Sequence, residues 1–379
     1  EKALSYAEKS LENNVNNIPS LEIIAISNRF LKKQNEHKIA LEKIEELDPI
    51  HHIISFERYL STPNKENKIK VLDSHRSELS YQTFLELAIS YYNRGLIEEA
   101  INILEIGPDE IINNIWKAYL RNDKSELAYT VSNSNINYAF PFRRESIKTL
   151  TWAKNLYNNW KLDYLLALNL WSKGRREDSQ NLLSNIKHKS DNSIFYLNRG
   201  LMLEKLDVDP INDFNKSYKL NNKNWRIART FANYHFNSNN YKLSHDILKK
   251  AFNNDKSNYI IGMDYVKTLV KLEKYASAIS VLDNLNILPY EHAGEGRELY
   301  TSAYFGLAMK KIISSNYKEA LLILNKSKTW PENLGVGKPY NPDERIQDYL
   351  IFHCMDKLND PSSKNYLSNI IDYTEKNIS

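Results

Sequence analysis

Between residues 225 and 290, apolar and small positions recur in two registers offset by 34 residues. Phe231, Ala232, His235, Asn239, Tyr241, Ser244, Leu248 and Ala251 are matched by Tyr265, Val266, Leu269, Glu273, Tyr275, Ala278, Leu282 and Leu285. Within each copy the steps of three and four residues are those of helices that bury one face. A large residue followed by a small one marks the inner face of a first helix. A polar turn follows, then a second helix with a small residue where the two cross closely. Pro289 stops the second copy. Neither helix of such a hairpin buries its stripe alone, so successive hairpins must stack.

The same pattern predicts further hairpins. Phe84, Leu87, Ala88, Tyr91, Gly95, Ile97, Ala100 and Leu104, closed by Gly107 and Pro108, form one. Leu166, Ala167, Leu170, Gly174, Ser179, Leu183 and Ile186 form another, and Leu307, Ala308, Tyr317, Ala320, Leu324, Ser327 and Pro331 a third. Fainter copies lie at 21–49 and 194–222, the latter shortened by Pro210. Residues 343–376 supply a last helix pair with Tyr349, Cys354, Leu358, Tyr366 and Ile370 at apolar positions. The turns are expected often at glycine. The expected class is all-α, an α-solenoid of tetratricopeptide-like helical hairpins wound as a right-handed superhelix, with about sixteen helices and little or no strand. Residues 1–160 read as an N-terminal helical region and 161–379 as a C-terminal array, in one continuous solenoid.

Three stretches interrupt the repeat. Helical pieces at 108–160 surround the irregular AFPFRRES of 139–146. NILPYEHAGEGRE at 286–298 delays the next repeat, so that Tyr275 and Tyr317 are 42 apart. TWPENLGVGKPYNPDER at 329–345 is the one stretch dense in Gly and Pro. Insertions in solenoids fall on one face and often carry function.

At 225–290 and 81–108 the chain is similar to the tetratricopeptide-repeat superfamily. The segments LDPIHHIISFERYL (47–60), FPFR (140–143), WKLDYLLALNLWSKGR (160–175), LPYEHAGEGRELY (288–300) and WPENLGVGKPYNPDERIQDYL (330–350) resemble those of a family of large bacterial proteins. In that family a β-rich domain of unknown function, similar to sugar-binding β-sandwiches of the galactose-mutarotase type, precedes a C-terminal tetratricopeptide array. The resemblance implies that this chain is such an array, with an upstream β-sandwich as its neighbour and a link to carbohydrate use. It carries over no catalytic residue.

Composition narrows the function classes. Apolar residues make up 42% and charged residues 26% of the 379, which excludes a disordered chain. The net charge of +4 comes from 51 basic and 47 acidic residues without a concentrated basic stripe, so no nucleic-acid partner is expected. The runs Lys65 to Lys70 and Lys216 to Lys223 read as solvated helix faces. No apolar run reaches membrane-span length. A single cysteine, Cys354, excludes a disulfide framework and leaves cytoplasmic and periplasmic homes open, the cytoplasmic favoured. The 46 asparagines read as coding bias and not as mechanism.

Candidate chemistry is sparse. GVGKPY at 335–340 lacks the distal glycine and the hydroxyl of a phosphate loop, since those places hold Glu332 and Pro339. The histidines are scattered, HExxH is absent, and His235 and His245 fit repeat packing, so no metal site and no cofactor is expected. Cys354 sits at a helical apolar position and reads as a buried, inert thiol. GxSxG is absent. Glu291, Glu295, Asp343 and Glu344 would approach one another if the two late insertions meet. They then form either a carboxylate site or, more simply, helix caps and loop fasteners. No catalytic residue is assigned, and no activity is expected of this chain alone.

The candidate binding residues are Phe140, Phe142, Arg143, Glu295, Arg297, Trp330, Asn333, Lys338, Tyr340 and Arg345, which lie in or beside the irregular segments. Aromatic side chains and arginines there anchor partners or stack on sugars, or else plug the ends of the solenoid. The expected function is a non-catalytic scaffold for a protein or peptide partner or a neighbouring domain. The alternative is an accessory, substrate-shaping module of a larger carbohydrate-active enzyme, with the upstream β-sandwich or a carbohydrate as its partner.

Overall fold

Nine turns repeat one backbone device. Lys32, Gly95, Asn122, Gly174, Asp207, Asn239, Glu273, Ser315 and Asn359 all have φ between 53° and 78°, in the left-handed region. At each, the next residue's N–H donates to the carbonyl five positions back, at 2.8–3.0 Å; Asn240 to His235 and Lys274 to Leu269 are two examples. This is the six-to-one closure that ends a helix and reverses the chain. Glycine fills the turn at only two of the nine positions. Elsewhere Asn, Asp, Lys, Glu or Ser does so, the expectation of glycine turns being met in conformation more than in residue type.

Asparagine also starts helices. The side chains of Asn17, Asn64, Asn159, Asn192, Asn224, Asn240, Asn258 and Asn316 each accept a backbone N–H of the first helical turn. The abundance read as coding bias therefore has a structural use, at caps and in left-handed turns.

The computed structural model describes residues 1–186, 191–289 and 294–378, the side chains of 377 and 378 excepted. The chain divides into two units, Glu1–Lys189 and Ser190–Ser379. The first holds α1 (Lys2–Asn13), α2 (Ile18–Phe30), α3 (Gln34–Leu47), α4 (His52–Ser61), α5 (Lys65–Ser74), α6 (Ser80–Asn93), α7 (Ile97–Ile106), α8 (Ile111–Arg121), α9 (Lys124–Asn133), α10 (Glu145–Leu156), α11 (Trp160–Ser172) and α12 (Arg176–Asn185). The second holds α13 (Ser193–Glu204), α14 (Ile211–Leu220), α15 (Trp225–Asn237), α16 (Tyr241–Asn254), α17 (Tyr259–Lys271), α18 (Tyr275–Leu282), α19 (Glu295–Ile313), α20 (Tyr317–Ser327), α21 (Arg345–Lys357) and α22 (Ser363–Ile378). The fold is an all-α stack of helical hairpins, with no strand among the described residues. The helices number 22 there, not about sixteen, because α1, α4, α5 and α8–α10 form where the 34-residue pattern is faint. The break expected at 108–160 narrows to the coil at 134–144.

In the second unit each helix packs on the next, and first helices also meet one another: α15 on α17, and α17 on α19. The 34-residue positions supply the core. Ala232, Ser244, Leu248, Val266, Ala278 and Leu282 are fully buried, and the expected inert Cys354 is fully buried too. Burial pushes the Cys354 thiol pKa up. His245 is held by Asp246 at 2.9 Å and Lys274 at 3.3 Å. Two of the apolar positions of the last helix pair are corrected: Tyr349 is 57% exposed, and Leu358, just past the end of α21, lies at the surface.

In the first unit a carboxylate sits in the core. Glu57 on α4 is fully buried and accepts from Arg29 Nε at 2.8 Å and the Tyr91 hydroxyl at 2.6 Å. Arg29 also reaches Glu99 at 3.1 Å, so one ionic knot ties α2, α4, α6 and α7.

Candidate functional site

The two late insertions meet. The Ile287 N–H donates to the Asn333 carbonyl at 2.8 Å, and Asn333 Nδ2 donates to the carbonyls of Leu282 and Leu285 at 2.9 and 2.8 Å. Gly335 has φ +71°, and a Cβ there would sit 2.7 Å from the Ile287 carbonyl oxygen, so only glycine allows the loops to lie this close. A single 3₁₀ turn, Glu332–Leu334, carries the contact and buries Leu334.

Beside this junction the second unit opens a groove of about 960 Å³ between α19, the loop before α21, and α21 with α22. Arg297, Thr301, Phe305, Trp330, Asp343, Arg345, Ile346, Tyr349, Leu350 and Ile370 are among its lining residues. Arg297 is 8% exposed. Its Nη2 donates to the Ser327 carbonyl at 2.7 Å, its Nη1 to the Thr301 hydroxyl, and its guanidinium lies 4.5 Å from the Trp330 ring centroid. Burial lowers its pKa from the ordinary guanidinium value, with the Tyr300 and Glu344 charges opposing. Arg297 Nε and Trp330 Nε1 meet no protein acceptor. At the other rim, Arg345 grips Asp343 at 2.7 and 2.9 Å and lies 5.1 Å from the Tyr373 ring. That hydrogen bonding holds the Asp343 carboxyl below the usual carboxylate range. Lys328 bonds Asp348 and lies 3.2 Å from Glu344.

Of the candidates, Arg297, Trp330 and Arg345 come together in the groove. Asn333 pins the loops and does not line it. Glu295 begins α19, half-buried, while Lys338 and Tyr340 are exposed on the loop, Tyr340 fully. Glu291 lies outside the described residues. Asp343 and Glu344 are engaged by cations, and Asp343 accepts the Arg345 N–H at 3.2 Å, which is the capping and fastening arrangement. Among the described residues no set of three potential metal ligands gathers, and no helix is long and apolar enough to cross a membrane.

The other three candidates belong to the first unit. Phe140 is 42% exposed and its N–H donates to the Tyr81 hydroxyl at 3.0 Å. Arg143 lies over Phe142 at 4.6 Å and pairs with Glu86, and its carbonyl accepts from Asn169 at 3.1 Å. They fasten the coil 134–144 to α6 and α11.

Residue type alone missed Phe305, Ile346, Tyr349 and Leu350. They sit on regular helices, where only Tyr349 was singled out, as an apolar position of the last helix pair. Pro342, Asp343 and Glu344, which set where α21 begins and hence which of its positions face the loop, were the available signal.

Hairpins closed by left-handed turns, with small residues at the crossings and a 34-residue register, decide the architecture. The fold is tetratricopeptide-like. No family model matches the chain, and no curated protein matches it in sequence. Solved structures similar to it include a tetratricopeptide repeat protein from Parabacteroides merdae (15% identity, 73% of this chain and 98% of that one, TM-score 0.32). The type IV pilus biogenesis factor PilW (14%, 56% and 93%, TM-score 0.30) and Pseudomonas aeruginosa pilF (16%, 53% and 88%, TM-score 0.34) are also similar. These likenesses are too distant to place any residue of this chain. The tetratricopeptide-like reading stands on the turns, crossings and register of the hairpins themselves.

Proposed function

We propose that the chain is a non-catalytic interaction scaffold and that the groove of the second unit seats a polypeptide partner. One observation carries this reading: residues from two separate insertions converge on one open groove whose walls combine an apolar floor with buried donors. Phe305, Ile346, Tyr349 and Leu350 offer contact area. Behind that surface Arg297 and Trp330 keep buried N–H groups that no protein acceptor engages. A segment with an apolar side chain next to a carbonyl or carboxylate suits this pattern, with the aromatic and arginine anchors supplying most of the affinity.

The test is selection of peptides from a random displayed library on the purified full chain, followed by titration. Ile346→Glu and Trp330→Ala should each weaken the selected peptides at least tenfold, while Lys256→Ala in the turn between α16 and α17 leaves them unchanged. Peptides indifferent to both groove variants would overturn the assignment.

A second reading is contact with an upstream β-sandwich of the same polypeptide, with carbohydrate as its associated ligand. It is supported by the fully exposed Tyr340 on the Gly/Pro-dense loop. It predicts that such a domain binds in trans and is released by Tyr340→Ala.

A further inference from the structure

One hairpin of the first unit is closed by stacked and tilted rings. α4 and α5 are joined through Thr62, Pro63 and Asn64 without a left-handed turn, and the α5 helix itself buries only Val71. Ile69 and Leu72 on α5 are 47% and 40% exposed. At its end α5 is held by a ring sandwich. The His75 ring, 1% exposed, lies 4.5 Å from the His52 ring of α4 on one side and 4.5 Å from the Phe84 ring of α6 on the other.

The hydrogen bonds fix how His75 carries its proton. Its Nδ1 lies 2.8 Å from the Val71 carbonyl, which can only accept, so Nδ1 holds the hydrogen and Nε2 is bare. Nε2 is buried and faces no protein partner; neither does Nδ1 of His52 or of His51. A proton added to His75 therefore places a charge and a new donor in a site without an acceptor, against a second imidazole whose own protonation burial disfavours.

We propose that the α4–α5 hairpin is a proton-operated latch: protonation of the adjoining His52 and His75 rings expels His75 and lets α5 swing away from α6 and α7. Opening uncovers Phe84 and widens the slot of about 580 Å³ already lined by Leu72, His75, Phe84, Ile106 and Pro108.

The neighbouring charges bear on both rings. Burial of His52, and then His51 beside it, opposes its protonation, while the Ser74 backbone and Asp48 favour it. His51 is itself within 3.3 Å of Glu22, which also pairs with Arg94 of the turn after α6. On the outer side Arg76 pairs with Asp73 at 3.2 Å. At the His75 ring α6 presents Phe84, and the slot is continued by Ile106 of α7; no carboxylate acts on His75. Burial is the largest influence and takes the His75 pKa down to about 4, with His52 adding to it.

The sign follows. The folded latch has the lower pKa, so the open form binds the extra proton between about 6.5 and about 4. Closure is fully favoured above that window and is lost as pH falls through it. From pH 7.5 to pH 5 the opening constant should rise roughly thirtyfold.

The experiment is hydrogen exchange with mass readout on the full chain at pH 7.5 and 5, corrected for intrinsic exchange. Peptides covering 64–76 should lose protection by roughly that factor while peptides of α11 keep theirs. His75→Phe keeps a ring between His52 and Phe84 and should remove most of the thirtyfold pH dependence, the share that His75 carries. Protection of 64–76 that is independent of pH, or lost equally throughout the first unit, would overturn the latch. If His75→Phe does not fold, His52→Phe and the wild-type regional comparison decide the question alone.

Discussion

The Arg297 guanidinium lies over the Trp330 indole at 4.5 Å, joining the first turn of α19 to the loop after α20. Thirty-three positions separate the two residues, and each belongs to a different interruption of the repeat. Their pairing makes the groove a designed junction more than a gap between hairpins.

Trp330→Ala should therefore act in two ways. It removes the face on which Arg297 rests, at a cost of about 1–2 kcal/mol for a shielded cation–π contact, and it removes a groove wall. Urea unfolding of the full chain should show a modest loss, with Trp330→Phe recovering much of it. A selected peptide should lose affinity with the alanine variant to a greater degree than stability falls. Equal behaviour of Ala and Phe in both measurements would show that the ring contact is incidental.

Asn333 is a structural pin. Its amide donates to the carbonyls of Leu282, the last residue of α18, and of Leu285 just beyond it, and Leu282 otherwise accepts only the long Leu285 N–H bond at 3.3 Å among the described residues. Asn333→Ala should cost about 1–3 kcal/mol, the range for buried partners left unpaired. Hydrogen exchange should quicken at 282–287 and 330–336 together. Asn333→Asp should not rescue, because a carboxylate cannot donate.

These residues show what the sequence made legible and what it did not. The 34-residue register named Ala232, Ser244, Val266 and Ala278, and all four lie in the core. Close helix crossings demand small side chains at fixed intervals, so the fold leaves a periodic trace. Arg297 and Trp330 could be singled out as unusual residues in irregular segments, but nothing periodic says that two insertions touch. Tyr349 was misread for the converse reason. Its spacing fits a helix stripe, yet which stripe faces a neighbour depends on how α21 is set by the loop before it. Arg29 and Glu57, 28 positions apart, fell outside the 34-residue comparison altogether.

The turn device predicts a stabilising change. Glu273 holds φ +56°, where a side chain is disfavoured by about 1 kcal/mol. Its carboxylate pairs with Lys310 at the surface, while the Lys310 bond to the Glu273 carbonyl would survive replacement. Glu273→Gly should thus raise the urea midpoint or leave it unchanged, whereas Asn258→Ala at the preceding cap should lower stability by about 1 kcal/mol. A destabilising Glu273→Gly would mean that the surface ion pair, usually worth under about 1 kcal/mol, outweighs the backbone term here.

The buried knot of the first unit makes the largest prediction. Glu57 is shielded from water and satisfied by Arg29 and Tyr91, and burial together with the Glu57 charge drives the Tyr91 hydroxyl pKa well up, keeping it a donor. Glu57→Leu strands the guanidinium of Arg29 with Glu99 alone and leaves the Tyr91 hydroxyl without its acceptor. Breaking one side of such a pair costs about 3–5 kcal/mol, whereas replacing both sides by apolar groups of similar volume is often neutral. The double variant Arg29→Met with Glu57→Leu should therefore recover most of the stability lost by Glu57→Leu. Chemical denaturation of the full chain, followed by hydrogen exchange in α2 and α4, checks both. If the double variant is as unstable as the single one, the knot is holding four helices in register through its geometry, and charge compensation is the smaller part of its role.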